Sequence, residues 1–199
     1  MGIFKTLSLT IALGLLAACS PRDFLTRRLA DDLISASGSF RAPQVFWLKT
    51  GVVSNKEFNS PDSLVLQRHG WIIGTQQKCP PDVDLPPCWD VILSPHGVDA
   101  FKSLISESTH GGTLMPITVA RREVVDITGI SKSGNLADVE FLWHWVALND
   151  VGSALYDSGV RYRSTVGFRS YDDGWRVQTE ATHSNQPIDE ALRGAQPVQ

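Results

Sequence analysis

The sequence predicts an α+β fold, with a helix-rich first half that holds a disulfide-stapled β-hairpin and a second half that forms a four-stranded antiparallel meander. Helix caps followed by apolar residues at helical spacing recur up to residue 105. From residue 114, runs of high β propensity alternate with turn signals. The chain has 199 residues, 42% hydrophobic and 20% charged, which is enough apolar material for a packed core.

The beginning of the chain has the pattern of a cleaved export leader. Lys5 precedes an apolar run over residues 7–16, which is shorter than the roughly 20 residues that a membrane-spanning helix needs. Residues 16–19, Leu-Ala-Ala-Cys, resemble the lipobox of bacterial lipoproteins. The resemblance implies that residues 1–18 are a signal peptide and that Cys19 carries diacylglycerol and palmitate. An ordinary secretory leader with an incidental cysteine is the alternative.

The lipoprotein resemblance also implies a location in the cell envelope. Ser20 is not acidic, and a non-acidic residue at this position resembles the pattern of lipoproteins sorted to the periplasmic side of the outer membrane rather than kept at the inner membrane. The expected partners are the membrane, through the N-terminal lipid, and another envelope protein. The net charge of −3 and the lack of clustered Lys and Arg argue against nucleic acid.

The cysteines agree with an exported chain. If Cys19 carries the lipid, Cys79 and Cys88 remain as an even pair in a compartment where disulfides persist. The loop between them is rich in proline, and we expect a structural disulfide. A redox pair and a metal site are the alternatives, but redox motifs place two residues between their cysteines, and a metal needs further ligands.

Each helix expected in the first half begins at a Ser-Pro pair, which provides a hydroxyl cap and a proline at the first turn. The predicted helices begin at Ser20, at Ser60 and at Ser94, and the first runs to about residue 36. A strand is expected over residues 44–49, and two more, over 71–74 and 89–93, flank the stapled loop.

Residues 64–101, with "LVLQRHGWI" and "WDVILSPHGVDAF", resemble the hairpin half of a winged-helix module. In that family the hairpin often contacts DNA. Here the loop at its tip is acidic and the leader indicates export, so we expect packing or protein contact instead.

Four strands are expected in the second half, over residues 118–131, 137–148, 160–171 and 175–182. The flexible sequence at 110–112 predicts a boundary between two subdomains, 19–112 and 113–183, and residues 184–199 are expected to form a mobile tail. Within 160–182, "YDDGWRV" is similar to the last hairpin of NTF2-like proteins, a cone-shaped α+β family.

Strand alternation places large aromatic residues on one side of the sheet. The candidate ligand-binding residues are Phe141, Trp143, Trp145, Phe168 and Trp175. They line a ligand cup if the sheet curves around an open space. They form the core if helices cover them, and aromatic stripes at strand spacing are more often core.

The opposite side of the sheet carries charged residues that either converge on an anion or form cross-strand ion pairs. The basic candidates are His144, Arg161, Arg163, Arg169 and Arg176, and the neighbouring acids are Asp126, Asp138, Glu140 and Glu180.

The histidines lack the spacing of a zinc enzyme, and no serine lies in a G-x-S-x-G motif. We therefore assign no catalytic residue, metal or cofactor.

These patterns predict a membrane-anchored lipoprotein with a non-catalytic role in envelope interaction or assembly. The alternative is a small-molecule binding protein that uses the aromatic cup. A hydrolase or isomerase in the same cup is the third hypothesis, and it requires a titratable group with a perturbed pKa inside the cup.

Overall fold

The computed structural model describes residues 24–81, 86–105, 113–181 and 186–198. The helices are α1 (Arg27–Ala36), α2 (Gly38–Arg41), α3 (Asn55–Phe58), α4 (Pro61–Arg68), α5 (Pro95–Phe101), α6 (Asp150–Leu155) and α7 (Ile188–Arg193). The strands are β1 (Gln44–Lys49), β2 (Gly51–Ser54), β3 (Ile72–Gln77), β4 (Cys88–Leu93), β5 (Leu114–Ser133), β6 (Leu136–Ala147), β7 (Arg161–Tyr171), β8 (Gly174–Val177) and β9 (Gln196–Val198). The mixture of helices and antiparallel strands is the predicted one.

Helix α1 starts at Arg27, which corrects the prediction of a helix from Ser20. Residues 24–26 are not helical. The hydroxyl of Thr26 accepts a hydrogen bond from the backbone N–H of Leu29 at 3.1 Å and so caps the helix. Ser20, the expected cap, lies outside the described residues.

The stapled hairpin is confirmed. Strands β3 and β4 pair antiparallel, and a disulfide joins Cys79 to Cys88, whose Cα atoms are 5.0 Å apart. Strand β2 pairs with the other edge of β4, which gives a three-stranded small sheet in the order β2-β4-β3. Helices α4 and α5 are capped by Ser60 and Ser94, as predicted.

The meander of the second half is confirmed as part of a larger, curled sheet. This large sheet has the order β1-β5-β6-β7-β8, with β9 paired to β7. Gly134 and Gly174 have φ of 62° and 128° in the two hairpin turns, a region that favours glycine. The pairing of β5 with β6 shifts register at Val124/Asp126 and Ile127/Gly129, and such bulges bend a strand.

The large sheet is not confined to the second half of the chain, because β1 is its edge strand. In β1, Trp47 lies opposite Pro116 and Lys49 opposite Leu114. The predicted boundary at residues 110–112 falls outside the described residues. The structure therefore joins the two predicted subdomains through a shared sheet.

The C-terminal tail also differs from its prediction, since it contains α7 and β9 rather than a mobile segment. Ile188 and Ala191 of α7 are buried in the core. The backbone N–H of Ile188 donates to the carbonyl of Gln178 at 3.0 Å. Leu192 and Ala195 also pack against this core. The short helix therefore docks because its apolar residues meet a preformed apolar surface.

Two hydrophobic cores meet along β5. The first lies between the large sheet and the helices α1, α2 and α7, and includes Ile127 of β5. The second lies between the small sheet, helices α4 to α6 and the beginning of β5, and includes Ile117 and Val119. One strand thus packs against both, which links the small sheet to one end of the large sheet.

Candidate functional site

The aromatic side of the large sheet lies inside the first core. The exposed fractions are 0% for Phe141 and Phe168, 3% for Trp143, 6% for Trp175 and 9% for Trp145. Phe40 of α2 lies edge-to-face against Phe141, with ring centroids 6.2 Å apart. The indole N–H of Trp143 donates to Ser164 at 3.0 Å, and the hydroxyl of Ser164 donates to the carbonyl of Ala191 at 2.8 Å. Helices therefore fill the space that a ligand cup would require.

A cavity of about 330 Å³ lies at the edge of this aromatic core, beside Arg122 of β5. It is lined by Ser39, Arg122, Asp189, Leu192 and Arg193. The Arg122 guanidinium stacks over the ring of Trp145 at 4.6 Å and donates to the carbonyl of Ser39 at 3.1 Å. Its Nε is buried and has no hydrogen-bond partner among the described residues.

Burial shifts the pKa of Arg122 and of Tyr156, two groups that both contact Trp145. It lowers the pKa of Arg122, while the nearby Asp189 opposes that shift. It raises the pKa of Tyr156, whose ring lies 5.1 Å from that of Trp145. The raised pKa of Tyr156 keeps its phenol protonated at neutral pH. The Arg122 guanidinium on the cavity wall is the donor that a small anion would meet. Arg122 was not predicted from the sequence, because the basic candidates were taken from strands β6 to β8 and only an acid, Asp126, was considered on β5.

The charged residues on the opposite side of the sheet do not converge. His144 lies opposite Arg161 and contacts the carbonyl of Ser158 through its Nδ1 at 3.0 Å. Arg163 is 4.0 Å from Glu140. Arg161 and Arg169 are eight residues apart on β7, roughly 27 Å along the strand. The structure separates the predicted anion-binding set into local pairs.

Arg169 and Arg176 are direct partners on β7 and β8. Both guanidinium groups stack on Tyr171, at 5.5 and 4.9 Å from the centre of its ring. Arg176 also pairs with Asp173. These residues therefore form an aromatic and basic group at one end of the sheet.

The described residues contain no group of three or more His, Cys, Asp and Glu side chains that could hold a metal ion. His110 and His183 lie outside the described ranges. Of the helices in the described part of the chain, none is both long and apolar enough to cross a membrane.

No protein family, curated protein or solved structure matches this chain.

The outer face of the small sheet carries three exposed aliphatic side chains, and we call this face the distal face: Val52, Ile73 and Ile92. The exposed fractions of these side chains are 41%, 49% and 54%. Ile73 and Ile92 are direct partners, while Val52 pairs with Asp90 on the same face. The other face of the sheet faces the second core, so strand alternation leaves the distal face to solvent. Exposed apolar patches often mark protein contacts.

The distal face was not predicted, although the sequence provided part of it. The sequence predicted β3 and β4 but not β2, which supplies Val52. Both isoleucines lie in fully apolar runs, "WII" and "VIL", so the pattern does not show which side of each strand is buried.

The opposite end of the molecule carries the two tight turns of the meander, at 134–135 and 172–173, and we call it the turn end. The backbone N–H of Ser170 donates to the carbonyl of Asn135 at 2.8 Å, which links the two turns. Phe24, the first described residue, lies at this end, where Lys132 stacks on its ring at 5.7 Å. The chain therefore enters the fold at the turn end.

Proposed function

We propose that this chain is a lipid-anchored protein of the cell envelope with a non-catalytic role in contacting another envelope protein through its distal face. The lipobox at residues 16–19 supports the anchor, with Cys19 as the lipidated residue. The disulfide between Cys79 and Cys88 supports an oxidising compartment, because such bonds persist outside the cytoplasm.

The distal face carries the proposal. Three exposed aliphatic side chains lie on adjacent strands of a sheet that the disulfide staples. Strand β5 begins beside the small sheet and ends at the turn end, and its 20 residues span on the order of 60 Å measured along the strand. A lipid on Cys19 would tether the turn end and leave the distal face pointing away from the bilayer, where a protein partner can reach it.

Photo-crosslinking in intact native cells tests this role. A benzophenone side chain is placed at Ile92, and the matched control carries it at Val125 of β5, an apolar residue that is 39% exposed. We expect position 92 to give an adduct with a single envelope protein and position 125 to give none. The absence of an adduct at position 92, or an adduct only with a second copy of this chain, would overturn the proposal.

A second candidate function is binding of a small carboxylate or phosphate in the cavity beside Arg122. The half-buried guanidinium has no carboxylate within ion-pair distance among the described residues, and Arg193 adds a second positive charge to the cavity wall.

Thermal unfolding in the presence of glutarate or inorganic phosphate tests this candidate. A saturable rise in Tm that Arg122→Gln abolishes supports it, and equal Tm values with and without these anions reject it.

A further inference from the structure

The turn end carries exposed aromatic rings paired with basic side chains. Phe24 is 56% exposed and Tyr171 is 43% exposed. The Lys132 ammonium lies 5.7 Å from the ring of Phe24 and 5.4 Å from that of Trp175. Arg169 and Arg176 flank Tyr171 on the other side of the sheet. Rings with a polar or cationic neighbour are typical of residues at a membrane–water boundary, where Trp, Tyr, Lys and Arg anchor proteins at the level of the headgroups.

The length of chain before the described residues places this end close to any lipid on Cys19. Cys19 and Phe24 are five residues apart, and five fully extended residues span at most about 18 Å. The lipid therefore cannot hold the bilayer far from Phe24, whatever path the connecting residues take. The small sheet, at the other end of β5, has no such constraint.

The charges of the turn end also fit an anionic surface. Lys132, Arg169 and Arg176 are basic, and the acids in the β7–β8 turn are Asp172 and Asp173. Asp173 is paired with Arg176. Lys132 and Arg169 each contact an aromatic ring. Among the described residues, no carboxylate lies within ion-pair distance of either side chain. Both can therefore approach lipid phosphate groups.

We propose that the turn end lies on the surface of the bilayer that holds the lipid. Phe24 and Tyr171 sit at headgroup level, and Lys132 and Arg169 contact lipid phosphates. The occupant of this surface is the anionic bilayer itself, and the inference rests on the proposed lipid anchor at Cys19. In this orientation β5 leads away from the membrane toward the distal face.

Depth-dependent quenching tests the orientation with the full acylated chain in vesicles of phosphatidylglycerol and phosphatidylethanolamine. A fluorescent non-natural amino acid replaces Tyr171, and the matched control carries it at Ile92 of the distal face. Half of the lipid has brominated acyl chains, which quench only nearby fluorophores. We expect strong quenching at position 171 and none at position 92.

Charge reversal provides the second variant. Lys132→Glu with Arg169→Glu changes two side chains outside the two cores, and we expect it to reduce quenching at position 171 at least twofold while the protein still floats with the vesicles. Equal quenching at positions 171 and 92 in a sample whose intact mass shows lipid on Cys19 would overturn the orientation alone. A mass without lipid would overturn the proposed function as well as this inference.

Discussion

Phe40 of helix α2 lies edge-to-face against Trp143 of strand β6, with ring centroids 6.5 Å apart and planes at 80°. These residues come from opposite halves of the chain. Aromatic pairs in this geometry attract beyond the burial of their surfaces. The contact closes the aromatic side of the large sheet, so the residues that could have lined a ligand cup hold the two halves together instead.

Trp143→Ala should lower the free energy of unfolding by about 3 to 5 kcal/mol, because it opens a large cavity in a close-packed core. It also leaves the hydroxyl of Ser164 without the indole donor. Urea unfolding at neutral pH measures the change. Trp47→Ala is the control, since Trp47 is 56% exposed and should cost far less. Equal stability of the two variants would contradict a core role for Trp143.

Two glycines are required by close approach of backbones. A Cβ at Gly97 of α5 would lie 1.9 Å from the carbonyl oxygen of Trp71, and a Cβ at Gly152 of α6 would lie 1.9 Å from that of Val119. Alanine at either position must push a helix away from a strand or turn. We expect a lower Tm for both variants by thermal unfolding.

Gly38→Ala is the matched control for these variants. Gly38 begins α2, and a Cβ there would meet nothing within 4 Å. Alanine at this position should leave Tm unchanged or raise it, because it restricts the unfolded chain. A fall in Tm equal to that of Gly97→Ala would show that close packing is not the cause.

Glu57 makes part of the stability of the second core region pH-dependent. Its hydrogen bond with Lys49, at 2.6 Å, and then those with Ser54 lower its pKa from 4.5 to about 2. A carboxyl with a lower pKa in the folded chain stabilises the fold above its unfolded pKa, and that stabilisation is lost as the pH falls through the folded pKa.

Glu57→Gln should therefore be less stable than the wild type at pH 7, and the difference should shrink between about pH 4.5 and 2. Because Glu57 is 48% exposed, solvent screens the pair and the effect is small. Guanidinium unfolding at pH 7 and at pH 2.5 measures it. A difference in unfolding free energy that stays constant across this range would contradict the role of the carboxylate.

The disulfide should contribute roughly 2.5 to 3 kcal/mol in the chain-entropy model, because it closes a loop of about ten residues. Replacing Cys79 and Cys88 together by serine removes the bond without leaving a free thiol. Denaturant unfolding of this variant, compared with the oxidised and the reduced wild type, measures the contribution. Equal midpoints for all three would show that the staple does not stabilise the fold.

Local patterns predicted much of the fold. Ser60 and Ser94 were identified as caps because the serine hydroxyl and the following proline act within one helical turn. The turn signal before Gly174 predicted the last antiparallel hairpin of the meander. The alternation along β6 predicted that Trp143 and Trp145 lie on the same side of the sheet. Each of these depends on residues that are close in the sequence.

The remaining features depend on contacts between distant residues. The pairing of β1 with β5 joins Trp47 to Pro116, and no local signal encodes a partner about 70 residues away. Helix α7 forms because Ile188 meets the core, although its own sequence reads as polar tail. Whether the aromatic side was a cup or a core likewise depended on Phe40, which lies about 100 residues before Trp143.

Metabolic labelling with radioactive palmitate tests the lipid anchor at Cys19, on which both the envelope role and the orientation at the bilayer depend. The full-length chain and its Cys19→Ala variant are produced in a bacterial host, and the membranes are then fractionated. We expect a labelled, membrane-bound wild type and an unlabelled variant released from the membrane. If neither form carried label and both were soluble, the lipid anchor would be contradicted, and with it the orientation of the turn end and the envelope role of the distal face.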